Sequence, residues 1–281
     1  MIIKDFLPGL HVREYVRWYR IVDFKFGKDI PLPVKAYPPK PEHILHFFLR
    51  DRFAIQQSNG ELDFQPRISF VGQRTHLFRQ VNESDFLNFQ IVFHPTALFR
   101  LTGMPATDFT NHFTAGEEVF SKQIELTKER LQLASSYEQL LRIGEDFVKQ
   151  LILKKRKDTH GIDAVVDAIM RGHHTSIGKY SHEIDLSSKQ FARVFQQRTG
   201  VNPRMFLRIA RFNKAYNIRN RYPHLDWLQI AVDCGYHDYQ HLVRDYKQFT
   251  GYTPTEFHHL EKRSPECLLG LAQDLYESRC R

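Results

Sequence analysis

The chain has 281 residues, 42% hydrophobic and 26% charged, with a net charge of +8, which allows one to three domains with cores of their own and excludes a disordered or collagen-like chain. Three cysteines (Cys234, Cys267 and Cys280) with no CxxC pairing or zinc-type spacing argue against a disulfide framework and a structural metal, and suit a reducing cytoplasm. Pro8, Arg13 and Glu14 break the N-terminus, and no apolar run elsewhere approaches roughly 18 residues, so neither a signal peptide nor a membrane span is expected.

Residues 1–115 carry short runs rich in Phe, Val and Ile. His43–Leu49, Arg67–Val71 and Phe86–Phe93 read as strands, punctuated by Gly60, Gly72, Asn82 and Pro95. Several short strands without long helices between them predict a β-sandwich or small barrel. Over 117–154 the period changes: Phe120, Ile124, Leu126, Leu131 and Leu133, then Leu140, Leu141, Ile143, Phe147, Leu151 and Ile152, recur at helical spacing around a break at Ala134-Ser135-Ser136. This predicts a helical hairpin. Such a pair has more apolar surface than it can bury on itself, so a second copy of the chain is its expected cover. The basic run Lys154–Lys157 and residues 158–161 read as a short linker.

From residue 162 the pattern is all helix and contains a repeat. A shift of 51 positions lays Arg193–Phe206 on Arg244–Phe257 with Arg, Gln, Thr, Gly, Pro and Phe identical, and carries Phe191 to Leu242 and Ile177 to Leu228. Each copy has the same punctuation. Gly200 and Gly251 stand where a helix ends at positive φ, and Asn202-Pro203 and Thr253-Pro254 supply a cap with proline at the first helical position. Ser187 with Gln190 and Thr253 with Glu256 have capping-box spacing, which starts helices near 188 and 254. Short helices at 176–184 and 226–234 precede each unit, so the reading is a helix-turn-helix, twice. On the second helix of copy one, Phe191, Val194 and Phe195 point inward and Lys189, Ala192, Arg193 and Gln196 outward. In copy two, Leu242, Tyr246 and Phe249 point inward and Gln240, His241, Arg244 and Gln248 outward. Arg is the usual bidentate reader of guanine in the major groove, and Gln can read adenine.

Charge points the same way. Residues 187–221 hold nine bases and no acid, whereas residues 1–153 are nearly balanced. One-signed clustering is the footprint of polyanion binding, because each neutralised phosphate releases counterions.

Residues 162–260 resemble the DNA-binding domain of AraC/XylS-type transcription regulators. The resemblance rests on Ile230-Ala231, Cys234-Gly235-Tyr236-His237-Asp238, Leu242, Arg244, Tyr246-Lys247, Thr250-Gly251, Thr253-Pro254 and Phe257. It implies two helix-turn-helix modules joined by a long helix, here about 203–221, spanning roughly 27 Å, with recognition helices in neighbouring major grooves. Carried over by position, the base-facing residues are Lys189, Ala192 and Arg193 in the first module and Tyr239, Gln240, His241 and Arg244 in the second, with the outward Gln196 added to the first set. Phosphate candidates are Lys179, Ser187, Ser188, Arg204, Arg208, Arg211 and Lys247. Ala192 can only touch a thymine methyl, and Asp245, next to Arg244, puts an acid near the groove. The N-terminal half resembles the cupin-like sensor or dimerisation domains that precede this domain, through residues 38–43, 70–73 and 93–103.

The expected fold is therefore α+β and multidomain. A cupin-like sandwich or barrel with its hairpin occupies 1–153, a linker 154–161, the all-α double helix-turn-helix 162–260, and a tail 261–281. The expected function is a cytoplasmic, sequence-specific, homodimeric transcription regulator with double-stranded DNA as partner, RNA polymerase and a small-molecule effector as further partners, and no membrane, catalysis, cofactor or metal. The competing readings are a cupin-type enzyme fused to the same domain and a non-specific architectural protein. His43 and His46 fall on opposite faces of a strand and lack a metal-ligand set. His173-His174 and His258-His259 read as exposed polar pairs rather than zinc ligands. Cys234 is a small buried residue or a redox sensor. Any effector is expected within residues 1–115, where aromatics abound.

Overall fold

A computed structural model describes residues 2–26, 34–173, 176–264 and 267. His174, Cys280 and most of the 261–281 tail lie outside the described residues.

The N-terminal half contains two antiparallel sheets. Its strands are β1 (Ile2–Phe6), β2 (Val16–Lys25), β3 (Lys35–Tyr37), β4 (His43–Phe48), β5 (Phe53–Gln56), β6 (Leu62–Phe64), β7 (Ile68–Val71), β8 (Phe78–Asn82), β9 (Asp85–Phe93) and β10 (Phe113–Ala115). The larger sheet runs β1-β2-β9-β4-β7-β10 and the smaller β3-β8-β5-β6. Strict alternation divides the central strands between two environments. Tyr19 and Ile21, Leu45 and Phe47, and Phe89, Ile91 and Phe93 face a helical layer. Phe24, Phe48 and Phe86 face the smaller sheet, where they meet Phe53 and Ile55.

The helical layer is α1 (Ala97–Thr102), a 3-10 turn (Ala106–Phe109), α2 (Gly116–Phe120), α3 (Ile124–Gln132) and α4 (Tyr137–Leu153). The hairpin reading of 117–154 resolves into a short α2 followed by the α3–α4 pair, split at Ser121, whose φ of 64° no regular helix accommodates. Two residues of its apolar stripe, Leu126 and Leu133, are exposed. Gly144 lets α4 approach the sheet: a Cβ there would lie 2.5 Å from the Phe89 ring.

The C-terminal half is α5 (Gly161–Met170), α6 (Ile177–Glu183), α7 (Ser188–Thr199), α8 (Pro203–Arg221), α9 (Trp227–Asp233), α10 (Tyr239–Thr250) and α11 (Pro254–Glu261). It has two cores. One gathers Ile162, Val166, Ile169, Phe191, Phe195 and Phe206, and the other Ile209, Phe212, Ile230, Leu242, Tyr246, Phe249 and Phe257; α8 contributes to both. Leu228, paired with Ile177 by the repeat, is exposed.

Residues 154–160 are docked rather than free-running. The amides of Arg156 and Lys157 both donate to the Arg100 carbonyl at 3.0 Å, and His160 caps α5 in a capping box with Asp163. Among the described residues, no helix is long and apolar enough to cross a membrane.

Candidate functional site

Both modules are built by the same local rules. Ser187 caps α7 in a capping box with Gln190, and Asp238 caps α10 by accepting from the His241 amide at 2.7 Å. Both helices end on left-handed glycines, Gly200 at φ 88° and Gly251 at φ 81°, which release the chain into the Asn202-Pro203 and Thr253-Pro254 starts of α8 and α11.

These caps fix which faces are presented. On α7, Phe191 and Phe195 are buried, Val194 and Ala192 are half-buried, and Lys189, Arg193 and Gln196 are exposed. On α10, Leu242, Tyr246 and Phe249 are buried, Gln240, Arg244, Lys247 and Gln248 are exposed, and Tyr239 and His241 are half-buried. Lys179 on α6, Ser187, Ser188 and Arg204 at the start of α8 are exposed.

Asp245 does not stand near the groove. It is 1% exposed and turned toward α8, where Arg208 places Nε and Nη2 at 2.9 and 2.7 Å from Oδ1, and Arg211 Nη2 lies 3.5 Å from Oδ2. The acid is on the inward face of α10, one position round from Arg244, and locks that helix to α8. Arg208 and Arg211 are thereby matched to an internal carboxylate, and Arg211 also stacks over Tyr236 at 4.1 Å. Arg198 is likewise buried, its Nη1 donating to both carboxylate oxygens of Asp163 at 2.7 and 2.9 Å. Three of the nine bases in 187–221 are therefore matched to internal carboxylates, and the cationic surface is smaller than the sequence suggests. Arg211 Nη2 lies 3.1 Å from His241 Nε2, which makes that nitrogen the acceptor and leaves Nδ1 as the ring's donor. Burial and Arg211 both lower the His241 pKa.

The modules also dock on the N-terminal half. Thr110 Oγ1 donates to the Gly200 carbonyl at 2.7 Å, the Leu77 amide donates to the Phe249 carbonyl at 2.9 Å, and Arg79 reaches the Tyr252 hydroxyl at 3.0 Å. A buried charge cluster joins α1, α5 and α7: Arg100 bonds Glu14, Tyr15 and Thr159 at 2.7, 3.0 and 3.1 Å, and its Nε is 3.9 Å from Asp163.

Between the two sheets lies a cavity of about 110 Å³. Phe24, Phe53, Phe78 and Phe86 supply much of its apolar wall, and Arg20, His46, Gln90 and Arg74 are among its polar groups, which also include Lys35, Lys40 and Glu42. Arg20 is already matched, with Nε and Nη2 at 2.6 and 2.8 Å from the Asp5 carboxylate. His46 bonds Asn88 at 3.0 Å and is pushed down to about 3 by burial and then by Arg20. Arg74 is different. It is 8% exposed, among the described residues its side chain bonds only the Asn111 carbonyl, at 2.7 Å, it lies 5.0 Å from the Phe78 and Phe113 rings, and its Nε is buried without an acceptor there. Among the described residues no carboxylate pairs with it, and burial lowers its pKa to about 10. A buried guanidinium without a counter-ion is costly in a protein interior and well suited to a ligand anion.

These cavity residues escape a reading by period alone. Asn88 and Gln90 alternate with Phe89 and Ile91, the pattern of a strand with one face in water, whereas the second sheet covers that face. Phe residues at the same spacing give no sign of Arg74. His43 and His46 do lie on opposite faces of β4, His43 against Phe70 in the helical layer and His46 on the cavity. Cys234 is buried, its thiol pushed up to about 12 by burial. His258 is half-buried and stacks edge-on to Trp227, not an exposed polar residue. Among the described residues no three His, Cys, Asp or Glu side chains gather as a metal site.

Two helix-turn-helix units on a shared central helix, preceded by an antiparallel β domain, define a DNA-binding transcription regulator. Residues 180–259 match the family described as "Helix-turn-helix domain", a helix-turn-helix of the AraC type. No curated protein matches the chain. Among solved structures, ToxT from Vibrio cholerae is similar at 10% identity and TM-score 0.47, covering 86% of this chain and 98% of that one. An unsaturated fatty acid-bound ToxT from strain SCE256 is similar at 11% identity and TM-score 0.44, covering 85% and 93%. The AraC-like transcriptional activator CuxR is similar at 13% identity and TM-score 0.26, covering 77% and 80%.

Proposed function

We propose that the chain binds a specific DNA sequence through α7 and α10 and adjusts that binding to a small acid held between its β-sheets. The observation that carries the DNA reading is the matched pair of amphipathic helices, each with Arg and Gln exposed on its outer face, fixed to opposite parts of α8. Lys189, Arg193 and Gln196 read bases in one major groove, and Gln240, His241 and Arg244 in the next. Ala192 offers a methyl contact and Tyr239 an aromatic edge. Lys179, Ser187, Ser188, Arg204 and Lys247 hold phosphates, while Arg208 and Arg211 act chiefly by positioning α10. Selection of bound duplexes from a random pool tests this: the expected product is two short motifs about one helical turn apart, and recovery of no preferred sequence would support an architectural protein instead.

The effector reading rests on Arg74. A cavity of about 110 Å³ has room for a body no larger than roughly one aromatic ring, since an engineered cavity of about 150 Å³ accommodates benzene. The ligand is a monocyclic aromatic or short branched acid, its carboxylate on Arg74 and its body among the phenylalanines. Thermal shifts with such acids against their amides decide the matter: acids should stabilise the chain and amides should not, and Arg74→Met should abolish the difference. Residues 1–153 then form the sensing and dimerising unit, 162–260 the DNA-binding unit, and RNA polymerase is the further partner through which a bound regulator acts.

A further inference from the structure

We propose that Arg74, Asn111 and Thr110 form a relay that couples the cavity to the C-terminal cap of the first recognition helix. The proposal rests on the effector reading of the cavity for its physiological input, but the relay itself is present in the chain without ligand. Arg74 lines the cavity and donates from Nη1 to the Asn111 carbonyl at 2.7 Å. Asn111 holds a left-handed backbone, φ 65°, which an Asn tolerates better than most residues. It is tied on all sides to the residues flanking Arg74. Its amide donates to the Gln73 carbonyl at 3.0 Å, its Oδ1 accepts from the Thr75 amide at 2.8 Å, and its Nδ2 lies 2.9 Å from Thr75 Oγ1. Residues 73–75 and 111 therefore form one hydrogen-bonded clamp.

The next residue carries the clamp to the DNA-binding half. Thr110 Oγ1 donates to the carbonyl of Gly200, the left-handed cap of α7. The fit there is close: a Cβ on Gly200 would lie 2.8 Å from Thr110 Oγ1, 3.0 Å from the Ala106 carbonyl and 3.3 Å from Gln73. An acid that draws the Arg74 guanidinium off the Asn111 carbonyl removes the clamp's one charge-assisted bond, and the cap of α7 is two hydrogen bonds away. Coupling of this kind is reciprocal, so DNA seated on α7 changes the affinity of the cavity for its acid by the same factor.

The test is a double-mutant cycle on the full chain without ligand, read as the dissociation constant for the duplex recovered by selection. Arg74→Met and Thr110→Val should each shift that constant at least threefold in the same direction, and the double variant should shift it no further than the larger single change. Hydrogen exchange should show Arg74→Met raising the exchange of amides in 196–202. Thr110→Ser, which keeps the hydroxyl, should match the parent chain in both measurements. Additive shifts, shifts of opposite sign, no shift in either single variant, or exchange changes confined to 72–79 would overturn the relay. Benzoate titration of the parent chain separates the two claims: failure of any acid to bind defeats the effector reading, while the cycle still decides the relay.

Discussion

Arg244 and Asp245 are neighbours in sequence and face opposite ways. Arg244 is exposed on the outer side of α10, and Asp245 sits under the helix between Arg208 and Arg211. Arg244→Ala should leave stability within about 0.5 kcal/mol while costing about 1–3 kcal/mol of discrimination at one base pair, as should Arg193→Ala in the other module. Binding titrations on selected and scrambled duplexes measure this. Asp245→Asn should do the reverse, lowering the unfolding free energy by about 1.5–3 kcal/mol through lost charge-assisted hydrogen bonds, as seen in urea melts. The outward residues were legible because helical period and burial agree. The inward acid was not, because a charged residue on an amphipathic helix defaults to the solvent side, and its partners are 34 and 37 positions away.

At the scale of elements, the signals that proved readable are those whose partners are close in sequence. The capping boxes at Ser187 and Thr253 and the glycine stops at 200 and 251 involve residues at most four apart, so the repeat announces them directly. The docking of residues 154–160 depends on the Arg100 carbonyl, more than fifty residues upstream, and a polar run of that kind reads as a linker until its partner is known. The cavity depends in the same way on the second sheet. Gly144 gives a sign test for packing between elements. In an isolated helix Gly→Ala stabilises by about 1 kcal/mol, but here the added methyl meets the buried Phe89 ring, so Gly144→Ala should destabilise by about 1–3 kcal/mol. A rise in melting temperature would contradict the placement of α4.

For the whole molecule, several buried and half-buried histidines contribute to the response to acid. Burial lowers His43, His94 and His258 to about 4, and burial together with Arg20 lowers His46 to about 3. Each folded-state pKa lies below the unfolded value near 6.5, so their contribution is fully present above about pH 6.5 and is lost as pH falls toward 4. Calorimetric melting temperature should drop across that window, and His46→Gln should flatten the drop. Leu126, Leu133 and Leu153 lie exposed on the α3–α4 hairpin, the observation behind the proposal that two chains associate there. Light scattering of the full chain at tens of micromolar should report a dimer, and Leu126→Glu with Leu133→Glu a monomer; a monomeric parent chain would end that reading.

The central claim is that α8 holds two base-reading helices at the spacing of successive major grooves. Inserting base pairs between the two motifs of the selected duplex tests it most directly. Five added base pairs turn the distal motif to the far side of the helix, so affinity should fall to that of a duplex carrying the proximal motif alone, and Arg244→Ala should then have no further effect. Unchanged affinity after the insertion, with Arg244→Ala still weakening binding, would show that the two modules do not read one face of DNA through a fixed α8.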